Sequence, residues 1–242
     1  MEHAVPMGPA TRAARTTAAT TASRAAPTET AASGTVTRDT GKVFFTLDDT
    51  DYVCSGAAVG TPSAAVVATA AHCVTDGYGG WATNWVFVPG YNDGDKPYGS
   101  FPAQRFFVSR QWNAGMDETY DVAFVTVSGL SGGLPVRFDA NPKSVYVFGY
   151  PAEPPYTGDQ LTSCDGPVTG DPSNPGGDIG VRCAMTAGDS GGPWLARYNP
   201  ASGTGTVVGV SAFKYSENDT VLYGPLFGRT ARELYREALT AR

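Results

Sequence analysis

Histidine is almost absent from this 242-residue chain: His3 and His72 are the only two. The four cysteines are spaced as pairs rather than as C-x-x-C, so too few ligands remain for a metal site, and no metal or other cofactor is expected. Long apolar runs are missing too. None approaches 18 residues, and no helical membrane span is expected. Charged residues make up only 17%, with a formal net charge of −6. Four arginines against two glutamates make residues 1–38 basic by +2, which leaves −8 for the remainder. That acidic body has no Lys/Arg stripe to attract a phosphate backbone, so neither nucleic acid nor membrane is an expected partner. Met1–Pro9 lacks a basic segment followed by an apolar stretch, so no signal peptide is visible, and an exported chain implies a leader already removed.

Glycine (30) and proline (18) are plentiful and the apolar stretches are short, the profile of many strands joined by turns. From Pro9 to about Thr37 the chain is nearly all Ala, Thr, Ser, Arg, Gly and Pro, with no periodicity that builds a packed face. Residues 1–38 are therefore expected to be a disordered tail or the remnant of a propeptide. Lys42–Leu47, Tyr52–Val59 and Ala64–Thr69 are predicted as a meander around the turn Asp48–Asp51. Further strands are predicted at Trp85–Val88, Gln104–Val108 and Val122–Val127, then at Val145–Tyr150, Gly180–Ala184, Trp194–Tyr198, Thr206–Phe213 and Val221–Tyr223. The segment Ser128–Pro135 (SGLSGGLP) separates two β units, assigned to residues 39–131 and 132–242. Thr230–Ala241 alone has the helical period, with Ala231, Leu234, Tyr235, Ala238 and Leu239 on one face. Asn92-Asp93-Gly94-Asp95 is expected to be a hairpin turn rather than a calcium loop, because no bidentate glutamate follows at useful spacing.

Thr186–Trp194 reads T-A-G-D-S-G-G-P-W. A serine hydroxyl is a weak nucleophile at neutral pH and needs a base within reach and donors for the oxyanion its attack creates. The glycines around Ser190 let the backbone N–H groups of Gly188 and Ser190 converge on one point. Since His3 lies in the tail, the base must be His72, in V-V-A-T-A-A-H-C-V. A carboxylate must hold its far nitrogen. Asp121, in T-Y-D-V-A-F-V-T-V, begins a buried-looking strand where its charge needs a partner, and Asp117 is the alternative.

A-A-H-C, D-V-A-F and G-D-S-G-G-P, in this order, resemble the chymotrypsin-like serine peptidases over roughly residues 40–242. The segments G-Y-P (Gly149–Pro151) and C-A-M-T (Cys183–Thr186) are more similar to the bacterial trypsin-like and glutamyl-endopeptidase-like branches. The resemblance implies an all-β fold, two six-stranded antiparallel β-barrels with a C-terminal helix and the active site between them. It implies His72 as general base, Asp121 as its orienter, Ser190 as nucleophile and Gly188 with Ser190 as oxyanion hole. The substrate would be a polypeptide and the enzyme a secreted monomer. The G-x-S-x-G pattern also fits an α/β-hydrolase esterase, but that fold needs a histidine after the serine and none follows Ser190. A peptidase fold kept as a binding scaffold without turnover is the other alternative.

Cys54/Cys73 and Cys164/Cys183 are each 19 positions apart, and these pairs are expected to form two bridges, which an oxidising compartment preserves. The acidic Asp189 beside the nucleophile needs a cation, with internal Arg137 or Arg182 favoured over an amino terminus. By resemblance, Ala184 lies at the base of the primary substrate pocket. Thr186, Ser211, Ala212 and Phe213 line it and Lys214 stands near its rim. No aspartate is available at the base, so cleavage after Arg or Lys is not expected; apolar or small residues lead, followed by acidic ones.

Overall fold

The computed structural model describes residues 4–7, 10–12, 34–174 and 177–241. Two extended pieces come first, β1 (Val5–Pro6) and β2 (Ala10–Arg12), and a short helix, α1 (Thr35–Asp39), leads into the body. Of the region assigned to the tail, residues 4–7, 10–12 and 34–38 are described, and residues 1–3, 8–9 and 13–33 lie outside the described residues. Local composition could not reveal β1 or β2, because both are held by edges far along the chain.

The first barrel is built from β3 (Thr40–Leu47), β4 (Thr50–Thr61), β5 (Ala64–Thr69), β6 (Thr83–Pro89), β7 (Phe101–Val108) and β8 (Ala123–Val127). Its ladder runs β4-β3-β6-β7-β8-β5, and β5 pairs back onto β4 to close the ring, every pair antiparallel. Closure pairs the end strands with each other, while the first part of β4 keeps an edge to which β1 is added at Tyr52–Val53. The β3–β4 turn places Asp48 and Asp49 at φ of 48° and 59°, the paired left-handed conformation of a two-residue hairpin loop. A similar turn stands at Asp93 and Gly94, where Asn92 and Asp95 exchange backbone hydrogen bonds.

Alternation along β8 explains why all five of its residues are buried. Ala123, Val125 and Val127 enter the barrel interior with Val43, Phe45 and Trp85. Phe124 faces outward into a second cluster with Leu134, Phe148, Leu195 and Val210. The outer face of barrel one thus becomes the inner face of the inter-barrel core. The two units are bonded into one body through apolar packing that neither has alone.

The second unit has two sheets. One contains β9 (Ser144–Gly149), β10 (Thr162–Pro167), β13 (Pro193–Asn199) and β14 (Thr204–Val210), in the order β10-β9-β13-β14. The other contains β11 (Thr169–Gly170), β12 (Asp178–Arg182), β15 (Phe213–Tyr215) and β16 (Asn218–Pro225), in the order β11-β12-β16-β15, with β2 added at the end. The sheets close around Val145, Val147, Val181, Met185, Trp194, Val208 and Leu222. The Gly209–Leu226 bridge joins them on one side. The Cys164–Cys183 disulfide, with an S–S distance of 2.07 Å, joins them on the other. Strand β10 is absent from the sequence expectation because Thr-Ser-Cys-Asp-Gly-Pro carries almost no apolar pattern.

Helix α2 (Arg110–Gly115) starts at Ser109, whose hydroxyl accepts the Trp112 N–H, and α3 (Arg229–Thr240) ends the described chain. Ala231, Leu234 and Ala238 of α3 are buried, and Tyr235 stands edge-on to Phe124 at 5.4 Å. The terminal helix therefore packs against barrel one, although it follows barrel two in sequence.

Candidate active site

Strand β5 ends at Thr69, and the chain turns through a single 3-10 turn at Ala71–Cys73 that carries His72. The Cys54–Cys73 disulfide, with an S–S distance of 2.02 Å, ties that turn to β4. Trp85 donates its indole N–H to the Cys73 carbonyl at 3.1 Å, and Trp112 lies against the imidazole at 6.4 Å. Asp121 comes from the turn just before β8. One carboxylate oxygen lies 2.6 Å from His72 Nδ1 and the other accepts the His72 backbone N–H at 2.9 Å. Two bonds to one carboxylate fix both the ring and its backbone. Asp117 instead caps the turn of Glu118–Tyr120.

Asp121 is 2% exposed and His72 8%. Burial works against a charged imidazole. The charge of Asp121 and its hydrogen bond, helped by Asp189 and Glu118, outweigh burial and raise the His72 pKa above its usual value.

Ser190 lies in the loop between β12 and β13. Gly188 has φ of 100°, and a Cβ there would stand 2.6 Å from the Tyr150 carbonyl oxygen. Only glycine fits this left-handed, crowded position. Gly191, at φ of 81°, is equally constrained, since a Cβ would meet Thr69 Oγ1 at 2.1 Å. The Ser190 carbonyl accepts the Ser55 N–H at 2.8 Å and lies 3.7 Å from Cys73 Sγ, one residue beyond His72. The Ser190 loop and the His72 turn therefore meet across the barrel boundary.

Ser55 had no signal in the sequence. Its buried hydroxyl donates to the Gly188 carbonyl at 2.8 Å and accepts the Tyr150 N–H at 2.8 Å, while its own carbonyl accepts from Thr69 Oγ1. One side chain on barrel one thus pins two loops of barrel two. A lone serine in an apolar strand has no local pattern that distinguishes this from a filler position.

Asp189 is fully buried, and neither of its carboxylate oxygens accepts a hydrogen bond from a described residue. Burial pushes its pKa up to about 7, opposed by the charges of Lys214 and His72. Arg137 and Arg182 are both exposed, so neither is the expected internal partner.

The residues expected to line the substrate pocket are scattered in role. Thr186 exchanges hydrogen bonds with the backbone of Glu153, and Ser211 accepts from the Trp194 indole. Ala212 and Phe213 are fully buried, and Phe213 stacks on Tyr223 at 5.3 Å. Lys214 is only 8% exposed and donates to the carbonyls of Cys183 and Asp219, so it is a buried brace rather than a rim cation. Ala184 is half-buried.

Among the described residues, one group could bring three metal-type ligands together, namely Cys54, His72 and Cys73. Both of its sulfurs are spent in the disulfide.

The sequence profile of the Trypsin family matches residues 25–226. A protease from Arthrobacter nicotinovorans, Anisep, is 38% identical, with a TM-score of 0.79 over 86% of this chain and 99% of that one. A thermostable serine protease from an extremophilic microorganism is 33% identical, with a TM-score of 0.79 over 85% and 99% of the two chains. A curated relative described as an extracellular metalloprotease of Bacillus subtilis is 32% identical over 81 residues, 34% of this chain, and the match spans only 25% of that protein's length.

Proposed function

The chain belongs to the trypsin family and is a serine endopeptidase, and from that premise we propose that it is secreted and cuts polypeptides through His72, Asp121 and Ser190. The observation that carries the assignment is the buried His72–Asp121 pair at 2.6 Å, held one residue from the Cys73 sulfur that touches the Ser190 backbone.

In this reading His72 Nε2 removes the Ser190 proton as Oγ attacks the substrate carbonyl. Asp121 keeps the Nδ1–H tautomer and stabilises the imidazolium that forms. The negative oxygen of the tetrahedral intermediate rests on the N–H groups of Gly188 and Ser190. His72 then gives its proton to the leaving amine, an acyl-enzyme remains on Ser190, and water, deprotonated by His72, releases it. No metal or cofactor enters this sequence of steps.

Two disulfides support an oxidising destination outside the cell. Specificity is proposed for apolar or small residues before the scissile bond. Ala184, Thr186, Ser211, Ala212 and Phe213 offer no carboxylate for Arg or Lys. Cleavage profiling over a diverse peptide library, with Ser190→Ala as control, tests activity and preference together. The proposal expects cleavage by the parent and none by the control, and dominance of Arg or Lys would overturn the specificity.

A further inference from the structure

The nucleophile of this peptidase is completely buried: Ser190 is 0% exposed. What stands against it is the chain's own amino-terminal segment. The Met7 carbonyl accepts the Gly188 N–H at 3.1 Å, and Ser190 Oγ makes a long contact to the same oxygen at 3.4 Å. His72 Nε2, which should face that hydroxyl, is buried with no hydrogen-bond partner among the described residues. The backbone on either side of Met7 is held as well. Val5–Pro6 pairs with Tyr52–Val53 of β4, and the Met7 N–H donates to the Val53 carbonyl at 3.0 Å. Ala10–Arg12 pairs with Phe213–Tyr215 of β15.

We propose that residues 4–7 and 10–12 form an autoinhibitory segment that occupies the active-site cleft in the reverse of the substrate direction. This rests on the catalytic assignment above. His72 belongs to barrel one and must protonate the leaving nitrogen, so the leaving half of a substrate lies toward barrel one and the acyl half toward barrel two. In the tail the order is inverted. Val5–Pro6, ahead of the Met7 carbonyl, lie on barrel one, and Ala10–Arg12, beyond it, lie on barrel two. Both tail pairings are parallel, whereas the ladders within the two barrels are antiparallel.

The inversion explains how a peptide can fill the cleft of a peptidase and survive. The Met7 carbonyl occupies a donor of the oxyanion hole, but the chain that resumes at Ala10 lies on barrel two, not on the barrel that carries the imidazole. Ser190 faces the Met7 oxygen rather than His72, so its hydroxyl is not activated. Backbone hydrogen bonds supply most of the grip, as in the addition of a strand to an open edge, and an intramolecular tail acts at high effective concentration.

The test uses the full chain and reads the rate at which a fluorophosphonate labels Ser190. Met7→Pro removes the N–H that bonds Val53, and Thr11→Pro removes a backbone N–H at the β15 edge. Met7 packs partly buried against the apolar cluster of barrel one, so thermal unfolding checks that each variant is folded. The native chain is expected to label slowly and each variant roughly tenfold faster or more, as expected when a competing bound state is depopulated. The intact mass of the native chain should show no cut after Met7. Equal labelling of native chain and variants, or cleavage after Met7, overturns the inhibitory reading and leaves the catalytic one standing. No labelling of any chain overturns both.

Discussion

The two halves of the active site differ in how finished they are. On barrel one, His72 and Asp121 are joined by two hydrogen bonds and enclosed by Trp112 and the Cys54–Cys73 bridge. On barrel two, the loop of Ser190 carries a buried aspartate held by the charges of Lys214 and His72 rather than by a direct ion pair, and a hydroxyl that faces the tail. The first half is set by strands that close on themselves. The second depends on partners brought from elsewhere: Ser55 from barrel one and Met7 from the amino terminus. In the proposed mechanism the pairing of the base and the placing of the nucleophile are thus separate tasks, the first met within barrel one and the second dependent on other parts of the chain.

The largest effects are expected where the comparison is broken outright. Ser190→Ala and His72→Ala should each abolish peptide cleavage, and Asp121→Asn should leave a folded enzyme slowed by roughly 10⁴-fold. The raised His72 pKa has a visible counterpart. The base must be neutral to act, so kcat/KM should fall with decreasing pH through a value above the ordinary imidazole range. An acid limb at or below the ordinary value would contradict the Asp121 pairing.

A smaller effect tests whether barrel one holds the Ser190 loop. Ser55→Ala removes a hydroxyl that serves both Gly188 and Tyr150. Leaving those buried backbone groups without partners should cost about 1–3 kcal/mol of stability. It should also lower kcat more than it raises KM, because the oxyanion donor shifts. Ser55→Thr should restore part of both. Unchanged kcat with lowered stability would mean that Ser55 only braces the fold.

The smallest expected effect lies away from the catalytic groups, at Asp178 on β12. Burial drives its pKa up to about 7; Asn174 pulls it down by a hydrogen bond, and Asp171, Glu118 and Asp117 push it up further. Between the unfolded value of about 4 and about 7, the folded chain binds more protons than the unfolded chain. Stability from this group is therefore fully present below that window and lost as pH rises through it. Asp178→Asn should flatten the pH dependence of the melting temperature and raise it at pH 8. A variant as pH-sensitive as the parent would sink this account of Asp178.

Much of this was legible from local pattern. The apolar runs of β5 and β8, the Asp48-Asp49 turn and the helical face of Thr230–Ala241 all follow from residues adjacent in sequence. The T-A-G-D-S-G-G-P-W and T-A-A-H-C segments singled out two loops that the fold brings together across the barrel boundary. What stayed hidden depends on distance. Ser55 reaches Gly188 across 133 positions, and Met7 reaches Ser190 across 183. The fold alone brings those partners together. The expected pairing of Asp189 with Arg137 or Arg182 failed for the same reason: charge counting finds a cation, but burial decides whether it arrives.

The most direct test of the central claim is to locate the reactive residue itself. Peptide mapping of the tail-relieved Met7→Pro chain after fluorophosphonate treatment should place a single adduct on Ser190 and none on the same chain carrying His72→Ala. Cleavage of peptides by a chain that is labelled elsewhere, or labelling of Ser190 that survives loss of His72, would contradict it.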